Sequence, residues 1–282
     1  AWSGRYLKTL SDDEVRMTMN ARSLGLMAFA SAALAAPVMA HTSYMLPSRF
    51  VTNSEEMVTV EAAFAEDFFI PDVAVNGADF HVIKPDGTRA DFNSVNAHTQ
   101  LVILEADIAE EGTYRFSTGV RRGRRTTLAM VDGEWVNTRE TGGTVPENAT
   151  ATKISETETV ADAYLSKKAP TRAPVDVSGG RLVIQPITHP SDAFLGEPFE
   201  FQLLFDGKPL AGHFMNVDRG GARYDATKFH EEAPTDKDGK MSAVFDKAGV
   251  YILWTRFSAP APDDAQVDER SYTTSLILEV QG

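Results

Sequence analysis

An all-β chain is predicted by three observations: apolar residues that alternate two apart, tight-turn dipeptides set between them, and about seven short turn-bounded strands in the second half. Val58, Val60, Ala62 and Phe64 alternate with Thr59 and Glu61 between them, the pattern of a half-buried strand. Phe80 to Lys84 is a short strand closed by Pro85-Asp86-Gly87, and Leu101 to Leu104 is a continuous apolar run. Glu111-Gly112 turns the chain into 113–118, and Asp132-Gly133 between 128–131 and 134–136 is a hairpin signature. Residues 156–168 fit a short helix or a strand, because their periodicity favours neither.

After 169–180, rich in Pro, Gly, Ser and Thr, the alternation restarts at 181–187. It continues through Phe199, Phe201, Leu203 and Phe205, then 213–217, 240–245, 250–257 and 271–280. The expected organisation is two β-rich domains, 41–168 and 181–282, joined by the linker 169–180. The second reads as a β-sandwich of immunoglobulin or transthyretin type.

Residues 1–40 stand apart. The apolar run 24–36 follows Arg22 and meets small residues before Ala40, the layout of a cleavable secretory signal. Such a run is too short to span a membrane comfortably, so no stable membrane insertion is expected after cleavage. Met19 is a natural start for that signal, with 1–18 as upstream sequence. Cleavage after Ala40 makes His41 the first mature residue and implies a periplasmic location.

The chain carries a net charge of −13 and no cysteine. An acidic surface argues against nucleic acid as a partner. Without cysteine, an exported protein folds on its cores alone, and thiolate metal sites and cysteine nucleophiles are excluded. No nucleophile elbow, zinc-protease helix, phosphate loop or dinucleotide fingerprint is present. Catalysis has no sequence support except through a bound metal.

His41 is the leading candidate ligand, because a free α-amine beside an imidazole chelates a transition-metal ion. An ordinary exposed terminus is the alternative. His189, in a turn before Pro190, either joins His41 as a second ligand or stabilises its turn. Asp67, just past a strand, either serves a metal or ligand imidazole, or ends the strand. His213 and Met215 share a strand face and suit copper, although core packing explains the methionine equally well. His81, His98 and His230 read as structural or solvated, and Asp236 to Gly239 as a turn. Arg121-Arg122-Gly123-Arg124-Arg125 is the one dense basic cluster, either a solvated hairpin tip or a holder of a phosphate or an anionic envelope polymer.

The signal followed by His41, Leu46-Pro47, Val58-Thr59-Val60 and Asp67-Phe68 resembles the start of an exported bacterial family of unknown function. The likeness continues in Thr188-His189-Pro190, Gly196-Glu197-Pro198-Phe199, 203–212, Gly220 to Tyr224 and Thr235-Asp236. That family is often described as the periplasmic component of cobalt or nickel transport. The resemblance implies a metal-binding protein that uses His41, His189 and Asp67 for nickel, cobalt or copper, with an envelope metal transporter as partner. A copper histidine-brace oxidative enzyme and a metal-free structural or ligand-recognition sandwich are the other two expectations.

Overall fold

A computed structural model describes residues 41–177, 179–221, 224 and 229–282. The expected signal peptide and its cleavage point lie outside the described residues, as do Ala222 and Arg223. In chain order the strands are β1 (Thr42–Pro47), β2 (Val51–Thr52), β3 (Met57–Ala65), β4 (Val73–Ala74), β5 (His81–Ile83), β6 (Arg89–Ala90), β7 (Ser94–Ala97), β8 (Val102–Asp107), β9 (Gly112–Ser117), β10 (Arg121–Val131), β11 (Glu134–Asn137) and β12 (Ala151–Lys167). One helical turn, α1 (Ala173–Asp176), precedes β13 (Leu182–Pro186), β14 (Pro198–Phe205), β15 (Lys208–Pro209), β16 (Phe214–Arg219), β17 (His230–Pro234), β18 (Lys240–Val244), β19 (Gly249–Pro260) and β20 (Glu269–Val280). The protein is all-β.

Among the described residues the strands form three sheets. The largest runs β17-β16-β19-β20-β12-β9-β5-β6, with β10, β11 and β2 attached beside it. A second sheet runs β1-β3-β8-β7 with β4 on β3, and a third holds β13, β14, β15 and β18. β12 and β20 pair in parallel from Ser155↔Glu269 to Ala163↔Ile277. This contact binds residues from the two halves of the sequence into one sheet.

Alternation along the shared strands separates two apolar cores. Ala161, Ala163, Leu165, Ile252 and Ile277 pack with Tyr44, Met45, Val60 and Leu104 of the β1 sheet. Tyr164, Tyr251, Leu253, Leu276 and Leu278 pack with Phe199, Phe201 and Leu203 of the β14 sheet. Neighbouring residues of a strand point to opposite faces, so the central sheet is covered on both sides in a sandwich-like arrangement.

The undecided stretch 156–168 lies largely within β12. Its two-sided burial explains why it shows no clean alternation. The expected linker carries α1, whose Pro174 and Val175 are buried. The Asp132-Gly133 hairpin forms as expected, with φ of +52° and +88°, the twist that a two-residue hairpin turn requires. The arginine cluster is not a hairpin tip: it opens β10 and pairs with β12. His230, read from the sequence as structural or solvated, begins β17 and pairs with β16.

Candidate metal centre

His41 directly precedes β1, whose first residue pairs Thr42↔Ala65 with the last residue of β3. The chain then turns through 66–72, and the backbone N–H of Asp72 donates to the Phe64 carbonyl at 2.9 Å. This return brings the Asp72 carboxylate to the start of β1. Its Oδ2 accepts from the Glu66 backbone N–H at 2.9 Å and lies 3.3 Å from His41 Nε2. Among the described residues, His41 Nδ1 has no hydrogen-bond partner. Asp67 stands at the same end of the sheet, exposed, with its carbonyl accepting from the Ile70 N–H.

Below this corner the packing is aromatic. The Tyr44 hydroxyl donates to Glu61; burial first, then that carboxylate, pushes the phenol well above its usual range. The Tyr44 ring meets Phe69 edge-on with centroids 5.2 Å apart. Ser275 Oγ donates to the Ser43 carbonyl at 2.6 Å, which fixes β1 to the central sheet on the face that carries the first core.

His189 occupies a different place. Its Nδ1 accepts from the Ser191 N–H at 3.1 Å; its Nε2 donates to the Thr171 carbonyl at 3.1 Å and lies 3.1 Å from Thr113 Oγ1. Thr113 meets Ser166 Oγ at 2.9 Å, and Ser166 shares the face of Tyr164, the second-core face. The structure therefore brings His41 and Asp67 to one corner and does not bring His189 there. Both nitrogens of His189 serve the turn, because a buried imidazole needs partners for both. Burial holds its pKa below the ordinary histidine value.

His213 Nε2 donates to the Arg256 carbonyl at 3.1 Å and lies 2.9 Å from Thr255 Oγ1, while Met215 is wholly buried in the second core. His81 Nδ1 donates to the Asp79 carbonyl at 2.7 Å. Sequence reasoning missed an arrangement at the β16–β17 edge: buried Asp218 accepts from Trp254 Nε1 at 2.6 Å, and its other oxygen is 2.9 Å from His230 Nδ1. The one available signal was an aspartate two residues after Asn216 in a strand that opens with Phe214 and Met215. Among the described residues, no three or more His, Asp or Glu side chains gather as a ready metal-holding group.

The family profile described as Domain of unknown function (DUF4198) matches residues 38–259. The chain belongs to this family. No curated protein matches the chain. Among solved structures, the D0-D1 domain of Intimin is similar at 9% identity and a TM-score of 0.22, covering 84% of this chain and 97% of that one. So low a score carries no argument.

Proposed function

We propose that the chain is a periplasmic transition-metal-binding protein for uptake, delivery or homeostasis of nickel, cobalt or copper, and that cleavage after Ala40 makes His41 its principal ligand. The observation that carries this reading is the Asp72–His41 contact. A carboxylate on one imidazole nitrogen fixes the ring and raises the basicity of the other, the usual support for a metal-ligating histidine. Asp72 takes Nε2 and leaves Nδ1, the nitrogen that closes a chelate ring with the residue's own α-amine. One residue then supplies two nitrogens, so the site does not depend on a preformed three-residue cluster. Asp67, two residues past the end of β3, is the proposed oxygen donor, and an envelope metal transporter is the expected partner.

Calorimetric titration of nickel and copper into the chain beginning at His41 tests this directly. A variant with one extra residue before His41 loses the chelate and binds far more weakly; equal affinity in both chains rules the reading out. Asp72→Asn keeps the shape and weakens binding by about 10- to 100-fold, the usual cost of losing a supporting carboxylate.

A further inference from the structure

The arginine cluster builds a second site, on a different part of the molecule. Arg122 pairs with Glu158 and Arg125 with Glu156 across β10 and β12, with the register broken between them. Three steps along β10 match two along β12, so one extra residue bulges out. Residues three apart on a regular strand point to opposite faces. The bulge re-aims Arg125 onto the face of Arg122. It presses Gly123 against β12 so closely that a Cβ there would lie 2.1 Å from Thr157 Oγ1.

Both guanidiniums consequently face one cleft of about 430 Å³, walled on the other side by the β19–β20 loop through Asp264 and Gln266 and floored by Glu156 and Arg270. The loop is held in place: the Asp268 N–H donates to the Ile154 carbonyl at 2.9 Å, and the Ile154 N–H donates to Asp268 Oδ2 at 2.7 Å. The cleft's volume falls in the usual range for small-molecule sites.

The charges have more capacity than the fold uses. Arg270 is buried and donates from Nε to Glu156 Oε2 at 3.1 Å. Arg125 donates from Nε to Glu156 Oε1 at 3.0 Å, and Arg122 Nε lies 3.5 Å from Glu158 Oε2. The Arg122 and Arg125 side chains stay 55% and 51% exposed. Each guanidinium has five donors, so several remain for a ligand. Three arginines against Glu156 and Asp264 give the lining a net single positive charge on a chain of net −13.

We propose that this cleft binds a sugar acid, with Arg122 and Arg125 gripping its carboxylate and Glu156, Asp264 and Gln266 accepting or donating to its hydroxyls. A planar guanidinium fork matches a carboxylate in two places. Acceptors beside it suit a polyol and oppose a bare oxoanion. The ligand is a single negative charge on a hydroxylated ring, either free or as one unit of an acidic polysaccharide.

The test titrates the full chain with D-glucuronate, a glucuronate trisaccharide, D-glucose and inorganic phosphate. Saturable glucuronate binding, absent with glucose and weaker with phosphate, is the expected result; tighter binding of the trisaccharide assigns a polymer, and equal binding the free acid. Arg122→Gln and Arg125→Gln each weaken it by about tenfold or more, the cost of one charged hydrogen bond, while Arg49→Gln, remote from the cleft, leaves it unchanged. Failure of glucuronate to bind the correctly folded chain overturns the proposal. So does phosphate binding as tightly as glucuronate, or unchanged affinity in both arginine variants.

Discussion

Three histidines show how burial sets charge at the residue scale. His81, His189 and His213 each donate a ring N–H to a backbone carbonyl, which favours the protonated form. For all three, burial outweighs that bond and holds the pKa below the ordinary value. The unfolded chain therefore takes up protons at a higher pH than the folded one. Their stabilising contribution is complete above the ordinary value near 6.5 and is lost as pH falls through the lower folded values. The denaturation midpoint is expected to fall between about pH 7.5 and 5. His213→Gln keeps an N–H donor but cannot titrate, so its midpoint falls less steeply over that range; a slope identical to the parent would refute the assignment for His213. His41 was legible as a candidate because its meaning is local, a histidine at an expected cleavage point. Asp72 was not, because only the return of 66–72 against β3 brings it there. His189 misled because a turn before Pro190 does not reveal which face of a sheet it will join.

Among the structural elements, the 66–72 turn decides the geometry of the His41 corner, and Gly220 after β16 helps to seat it. A Cβ on Gly220 would lie 2.7 Å from Phe69 Cδ2 and Cε2, so the absence of a side chain lets the Phe69 ring settle there, edge-on to Tyr44. Gly220→Ala is expected to displace that ring and cost about 1–3 kcal/mol, the usual range for overpacking. Because Phe69 and Asp72 belong to the same turn, the substitution should also weaken nickel or copper binding at His41. Denaturant melts and metal titrations on the same variant check both halves, and lost stability with unchanged affinity would separate the turn from the site. Strands buried on one face, such as β3 and β14, were readable from alternation. β12 was not, since apolar and polar side chains fill both of its faces. The β10 bulge was equally hidden, because the arginine run marks charge and says nothing of a register shift against β12.

At the scale of the whole molecule, the two-domain expectation from the composition of 169–180 meets a central sheet in which β12 and β20 carry both cores. Leu165 faces one core and Tyr164, its neighbour on the same strand, faces the other. Order in one core therefore holds the strand that the other packs against, and the two cores are expected to unfold together, as a single cooperative domain does. Phe201 lies wholly buried in the second core, whereas Trp254 packs against the first. Phe201→Ala is expected to cost about 3–5 kcal/mol and to lower the midpoint reported by Trp254 fluorescence as much as that reported by far-ultraviolet circular dichroism. The measurement uses a chain beginning at His41 with Trp135→Phe, so that Trp254 alone fluoresces. If the Trp254 transition keeps its parent midpoint while the dichroism shifts, the halves unfold as independent domains and the shared sheet does not couple them. Coincident shifts make β12 and β20 the connection through which a change in either core reaches the His41 corner, since Ser275 of β20 holds the Ser43 carbonyl two residues from His41.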